Sequence, residues 1–338
     1  MSQIQSNKIF VFLAFFFILY FAKELVLPIF LAFLLYFLLF RIVNFLKTQF
    51  FIPKFLGSAL VILIFFTVFG IGLYYLFVNL KNLVFDLTNS TDIFQSKLDS
   101  FLRYFKIPHS ILVIFKDLTI TLEEKIQQDW IISLFSSTWQ FFAGFVMIAI
   151  LLYFLLISEG LFLKKMLKSL PTLERDEKIN RIIQKLEQDM ANYLITKTLI
   201  NIVVGILIGA VLSIFKIPNA ILLGVLVGIL EFIPFLGSIV SMALITLIAI
   251  ASLEQTWQII LCVSLVLIIM NVEGNILTPY VIGKRFSLNK VAVILGIYLM
   301  GWVWGIIGPF LAVPIMLIVK IIMDNINKSN VYSEIISE

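Results

Sequence analysis

Two glutamates stand inside long apolar stretches, and their type and position suit them to chemistry. Glu231 comes shortly before Pro234, and Glu273 lies between Asn271 and Asn275. A charged residue at the centre of a membrane helix costs about 2.5 to 3.5 kcal/mol, so it faces a cavity, pairs with a base or becomes neutral. A carboxylate that takes up a proton in this way is suited to proton transfer.

Glu273 is the stronger of the two candidates. It sits among two amides and a glycine, shortly before the helix breaker Pro279, so we expect it to couple transport to a proton. The alternative is a glutamate at a helix end that pairs with Lys284 or Arg285 at the membrane surface. For Glu231 the alternative is a structural cap of a helical turn.

Composition places the chain in a membrane. Its 338 residues are 61% hydrophobic and 13% charged, with a mean hydropathy of +1.09, whereas soluble proteins are about half apolar and a quarter charged. The net charge of +5 comes from short basic clusters between apolar segments. Such clusters indicate membrane topology and not a surface for nucleic acid.

Missing motifs exclude several function classes. The sequence has no Gly-x-x-x-x-Gly-Lys-Ser/Thr loop and no His-Glu-x-x-His pair, which argues against an ATP-driven pump and an intramembrane metalloprotease. One histidine and one cysteine, Cys262, give no support for a transition-metal site. We therefore expect no enzyme activity, no cofactor and no metal.

Charge bias between the apolar segments predicts the topology. The segments 41–54 and 284–290 carry Lys and Arg without acids and should lie in the cytoplasm, beneath the inner membrane. An all-α, multi-pass protein with about six full spans follows. These spans lie at about 9–22, 25–42, 55–79, 138–157, 192–215 and 256–280.

Two further apolar segments must enter and leave on the same side, and each is therefore predicted to be a helical hairpin. Segment 219–252 starts from the outer side and segment 289–320 from the inner side. Arms of about 15 residues reach about 22 Å, less than the bilayer core of about 30 Å, which favours re-entrant hairpins over full spans. Helix breakers mark the tips: Pro234, Gly237, Gly305, Gly308 and Pro309.

A short internal repeat supports two oppositely inserted units, each a span plus a hairpin. Pro234-Phe-Leu-Gly is echoed by Pro309-Phe-Leu-Ala. Interrupted helices in corresponding halves indicate a transporter's binding site. The predicted substrate- or ion-binding residues are Glu231, Pro234, Gly237, Asn271, Glu273, Asn275, Pro279, Gly308 and Pro309.

The pattern divides the chain into five segments. The amphipathic pattern of the insert outside the membrane favours a packing or oligomer surface. In the transport core, Gly-x-x-x-Gly triplets such as the one from Gly205 to Gly209 allow helices to approach closely. The segments are N-terminal membrane helices at 1–80, the extracytoplasmic insert at 81–137, a membrane helix with a cytoplasmic amphipathic helix at 138–190, the transport core at 191–322 and a cytoplasmic tail at 323–338.

The second half resembles the autoinducer-2 exporter family of bacterial membrane proteins. The resemblance is carried by segments 191–197, 230–237, 273–279 with Gly283-Lys284, and 301–314. It implies export of a small polar solute, autoinducer-2 in the name-giving members, or sodium/proton antiport in others. It also implies a homo-oligomer such as a pentamer.

These observations predict a proton-coupled exporter that works by alternating access. The two hairpins should meet near the midplane, and the C-terminal half should move against the remaining spans. Two alternatives stay open: a sodium/proton antiporter that uses the same acids, and a passive channel or membrane scaffold whose oligomer is the function.

Overall fold

The computed structural model confirms the all-α class. It describes residues 17, 19–89, 97, 138–158, 160–168, 176–282 and 288–326. Within these ranges the regular structure is helical and no strand occurs. Apolar segments in lipid must satisfy their backbone groups internally, and the α-helix does so within a single segment.

Five helical segments are long and apolar enough to cross a membrane in the part of the chain that the structure describes, and the fifth contains both arms of the second predicted hairpin. They are Lys23–Phe50, Lys54–Leu76, Glu177–Ile214, Thr256–Val281 and Lys290–Asp324. The predicted spans at 25–42, 55–79, 192–215 and 256–280 fall on the first four, and the shorter apolar helix Gly144–Ile157 matches the span at 138–157. The predicted span at 9–22, the insert after Asn89 and the tail beyond Ile326 lie mostly or wholly outside the described residues.

The chain forms two compact units, each assembled from separate stretches. The first comprises Met1–Phe66, Gln140–Thr196 and Ile282–Glu338, and the second comprises Thr67–Trp139 and Lys197–Val281. Helices of the first unit are α1 (Lys23–Phe50), most of α3 (Thr138–Ile157), α4 (Leu161–Lys168), α10 (Lys290–Trp304) and α11 (Gly308–Ile326). The second contains α6 (Ala220–Leu230), α7 (Leu236–Ser252), α8 (Thr256–Val272) and α9 (Thr278–Ile282). Both units receive a part of α2 (Lys54–Asn89) and of α5 (Asp176–Ile214).

In the first unit, α10 and α11 form the second predicted hairpin. A 3-10 turn, Gly305–Ile307, separates them, and Gly305 adopts a φ of 63° that favours glycine. A Cβ built on Gly296 would lie 2.8 Å from the Met316 sulfur, so the two arms pack side by side. The helix α11 runs to Ile326, beyond the predicted end of this segment at residue 320.

The N-terminal part of α5 carries an apolar stripe, within the segment where the sequence predicts an amphipathic helix. Every apolar residue of the stripe is buried, and the helix continues without a break into the predicted span. Tyr36 of α1 also donates a hydrogen bond to Glu187 of α5. The stripe therefore docks on protein. Its members are Ile179, Ile182, Ile183, Leu186 and Met190.

In the second unit, α5 and α6 lie antiparallel and almost in backbone contact. A Cβ built on Gly224 would lie 2.4 Å from the Gly205 carbonyl oxygen, and one built on Gly228 would lie 2.9 Å from that of Asn201. One turn further along, Gly209 faces Ala220 at 3.4 Å. Only glycine permits this spacing at Gly224 and Gly228, so the Gly-x-x-x-Gly pattern fixes how the two helices pack.

Alanine at Gly224 is expected to destabilise the protein, whereas alanine at Gly209 is not. The Gly224 Cβ would strike backbone atoms of α5, which cannot move aside as a side chain can, and overpacking of this kind costs about 1 to 3 kcal/mol. At Gly209 the new methyl group makes an ordinary contact, and the helix gains up to about 1 kcal/mol from alanine's propensity. Thermal unfolding of both variants in detergent measures the difference, and equal midpoints would contradict the close packing.

Candidate functional site

The tip of the first hairpin places Glu231 directly after α6. Residues 231–235 form a turn in which Phe235 has a φ of 62°, uncommon for a residue with a Cβ. A Cβ on Gly237 would lie 2.0 Å from the Leu230 carbonyl oxygen, so α7 begins in tight contact with the end of α6. Pro234 and Gly237 thus shape the turn that holds Glu231.

The Glu231 carboxylate is buried and only half satisfied. Its exposed fraction is 3%. The Ser238 hydroxyl donates a hydrogen bond to Oε2 over 3.0 Å, but Oε1 is buried and has no partner among the residues that the structure describes. A buried polar atom without a partner normally marks a place where a water, an ion or a proton binds.

The Glu273 carboxylate is buried and is engaged through one of its oxygens. Its Oε1 accepts hydrogen bonds from Lys197 Nζ over 2.9 Å and from Thr278 Oγ1 over 2.6 Å. The side chains of Lys197 and Glu273 are 9% and 6% exposed. A buried ion pair of this kind needs additional hydrogen bonds to offset desolvation, and Thr278 supplies one.

A π-helical turn, Glu273–Leu277, explains how Thr278 reaches this carboxylate. It inserts an extra residue between α8 and α9, so Thr278 follows Glu273 by five residues and returns to the same side of the helix. Turns of this kind are frequent at functional sites. The run Asn-Val-Glu-Gly-Asn therefore marks a local change of helix geometry.

The three charged groups form one electrostatic cluster. The charges of both Glu273 and Lys197 act on the Glu231 carboxylate. Two carboxylates and one ammonium, all ionised, leave a net charge of −1 in a buried position. One proton or one monovalent cation would neutralise the cluster, and a buried site strongly favours neutrality.

The other predicted site residues lie in different settings. Asn271 and Asn275 are exposed, and they interact with each other and with the Leu267 carbonyl instead of with the glutamates. Pro279 is exposed in α9. Gly308 and Pro309 belong to the first unit, where a Cβ on Gly308 would lie 1.9 Å from the Met300 carbonyl oxygen. Their place in ligand binding stays a prediction.

Three residues that form hydrogen bonds with the two glutamates were not predicted from the sequence. A basic side chain near a helix end usually extends to the membrane surface, whereas the structure pairs Lys197 with Glu273. Ser238 and Thr278 follow the two glutamates closely, each just beyond a helix break. A hydroxyl residue shortly after a break that follows a buried acid is the signal that could have identified both.

A family model, described as AI-2E family transporter, matches residues 9–328. The chain belongs to the AI-2E transporter family. The match covers the unit that carries the charged cluster as well as the second hairpin. Membership confirms the predicted resemblance and identifies the chain as a multi-pass membrane protein of a transporter family, in line with its apolar helices.

The similarity to individual relatives covers only part of their length. The AI-2 transport protein TqsA of Escherichia coli strain K12 is 31% identical over 142 residues, 42% of this chain and 41% of that protein. A protein of Borreliella burgdorferi, provisionally named a transport protein, is 29% identical over 188 residues, 55% and 52% of the two chains. YueF of Bacillus subtilis strain 168, also provisionally named for transport, is 28% identical over 181 residues, 54% and 48% of the two chains. The aligned regions thus span about half or less of these relatives.

Proposed function

We propose that this AI-2E family transporter is a secondary exporter of a small polar solute and that Glu231 couples export to a proton. The observation that carries the proposal is the buried Glu231 carboxyl, whose Oε1 has no partner among the described residues. With all three groups ionised, Glu231, Glu273 and Lys197 would carry a net charge of −1. A proton on Glu231 would make the cluster neutral. A neutral cluster can be exposed to an apolar surface during a conformational change at much lower cost than a charged one.

The solute class comes from the family and from one relative's name. TqsA is named for AI-2 transport, and we extend an autoinducer-2-like solute to this chain as part of the proposal. Alternating access supplies the mechanism: protonation on one side and deprotonation on the other would bias which state of the carrier is populated. The proton gradient then drives net solute movement.

The proposal is tested with the reconstituted protein. Liposomes loaded with radiolabelled autoinducer-2 should release it faster under an imposed pH gradient than in a symmetric buffer, because the gradient biases the carrier cycle. A proton ionophore that collapses the gradient should remove the difference, and empty liposomes provide the background. Flux that is equal with and without the gradient would contradict coupling and favour a passive channel.

Sodium/proton antiport is the second candidate, because the free Oε1 of Glu231 could accept Na⁺ as well as a proton. The same liposomes distinguish the two functions when a pH-sensitive dye is trapped inside. Proton movement on addition of NaCl, without release of autoinducer-2, would replace the exporter with an antiporter. Proton movement that requires autoinducer-2 and is indifferent to NaCl supports the exporter.

A further inference from the structure

Two buried polar side chains of the second unit lie outside the charged cluster and have no hydrogen-bond partner in the described part of the chain. Both the nitrogen and the oxygen of the Asn201 amide are unsatisfied, as is the Ser241 hydroxyl. The exposed fractions of these residues are 2% and 0%. Each unsatisfied buried group costs about 1 to 3 kcal/mol, so two such residues on different helices indicate an occupant that completes them.

Helix packing places both residues one turn away from the cluster. Asn201 lies beside Gly228 of α6, and Lys197 precedes it by one helical turn on the same face of α5. On α7, Gly237 packs against Leu230, and Ser241 follows Gly237 by one turn. Asn201 and Ser241 therefore reach the same level of the hairpin, one turn from its tip, and Glu231 lies at that tip, directly after α6.

The unsatisfied donors and acceptors at this level of the hairpin, here called the binding layer, determine which chemical groups could bind there. Glu231 Oε1 and the Asn201 amide oxygen are acceptors, the Asn201 nitrogen is a donor, and the Ser241 hydroxyl is both. A bare cation would satisfy the oxygens and leave the amide nitrogen unpaired. Hydroxyl groups satisfy every member, because each hydroxyl both donates and accepts.

Charge and space support the same conclusion. An anionic solute would approach a cluster that is already negative, and the ammonium of Lys197 is engaged by Glu273. Asn201, but neither Ser241 nor Glu231, also lines a groove of about 540 Å³ between α5 and α6, together with Thr198 and Ser213. The groove lining contains no charged residue. A neutral solute fits these surroundings better than a charged one.

We infer that Asn201 and Ser241 bind hydroxyl groups of the transported solute and that they select a neutral, hydroxyl-bearing molecule. The inference rests on the proposed function, since it assigns the solute-binding layer of the same site. Glu231 contributes the acceptor of this layer through its free oxygen. Asn201 contributes the only amide that is known to be unsatisfied within the described part of the second unit.

Cysteine labelling tests the inference without knowledge of the natural solute. Asn201→Cys and Ser241→Cys are made in a Cys262→Ala chain, since Cys262 is the single native cysteine. The reconstituted variants are treated with 2-hydroxyethyl methanethiosulfonate, which is neutral and hydroxylated, or with the anionic 2-sulfonatoethyl analogue. Ile208→Cys is the matched control, because Ile208 lies on the same buried side of α5, at 0% exposure, among apolar residues.

We expect the neutral reagent to label both positions about tenfold faster than the Ile208→Cys control, a difference of about 1.4 kcal/mol. Excess ribitol should slow that labelling, and the anionic reagent should give no comparable preference over the control. Rates equal to the control at both positions would overturn the inference, as would equal preference for the two reagents. Ser241→Cys exchanges one oxygen for sulfur, so it keeps the test valid if Asn201→Cys fails to fold.

The result of the labelling experiment can be distinguished from the result of the flux experiment that tests the proposed function. Labelling requires no ion gradient, so the expected pattern in a chain without gradient-dependent flux would support the binding layer and reject coupling. Gradient-dependent flux of autoinducer-2 together with control-level labelling would do the reverse. The two measurements therefore fail independently.

Discussion

Replacement of Glu231 by glutamine is expected to abolish the dependence of solute flux on the pH gradient. Gradient-driven flux should fall by at least about tenfold, which corresponds to about 1.4 kcal/mol in the activation free energy of the coupled step. Glutamine preserves the size of the side chain and can still accept a hydrogen bond from Ser238. It cannot take up a proton in the relevant range. Solute flux down its own gradient should persist.

Two further variants make this result specific. Glu254→Gln removes an exposed acid from a loop of the same unit and should leave gradient dependence unchanged. Glu231→Asp keeps a titratable group in a shorter side chain and should retain part of the coupling. A Glu231→Gln protein with normal gradient dependence would remove Glu231 from the mechanism.

Glu273 competes with Glu231 for this role. The sequence favours Glu273, because two amides, a glycine and a proline surround it, whereas the geometry favours Glu231, because Lys197 and Thr278 already engage Glu273. Comparison of Glu231→Gln with Glu273→Gln decides between them. Loss of gradient dependence in Glu273→Gln alone would return the coupling role to Glu273.

The helices and their interruptions could be predicted because their causes are local. Pro234 and Gly305 are helix breakers within apolar runs, and the structure ends α6 at Leu230, shortly before Pro234, and α10 at Trp304. Pro28 and Pro314 lie inside α1 and α11, so a proline alone does not decide where a helix ends. The apolar stripe from Ile179 to Met190 can be predicted in the same way, since the helical spacing of its residues indicates which side of the helix is buried. Local chemistry fixed these features without reference to the rest of the chain.

The partners inside the site could not be predicted because they depend on packing. Lys197 and Glu273 are 76 residues apart, and they meet only because helices of the second unit pack closely, as the glycines of α5 and α6 illustrate. The hydrophobic period of a helix determines neither its depth nor its rotation relative to a neighbouring helix. The π turn adds a further shift, because it changes which side of the helix Thr278 occupies.

Replacement of Lys197 by methionine is expected to destabilise the protein by about 3 to 5 kcal/mol, the effect of removing one partner of a buried ion pair. Methionine keeps the length and apolar stem of lysine, so the change isolates the charge. Glu273 would then share the site with Glu231, two buried carboxylates without a base. The loss should shrink in acidic buffer, because protonation of a carboxylate removes the unpaired charge.

The double variant Lys197→Met/Glu273→Gln provides the decisive comparison. Glutamine can still accept the hydrogen bond from Thr278, so the pair becomes neutral without a cavity. We expect this variant to recover most of the lost stability, because replacing both partners of a buried ion pair by neutral groups is often nearly neutral in free energy. Thermal unfolding of the four proteins in the cycle gives the coupling energy between the two residues. Additive effects would show that Lys197 and Glu273 do not depend on each other, and the buried cluster with its single negative charge would then lose its physical basis.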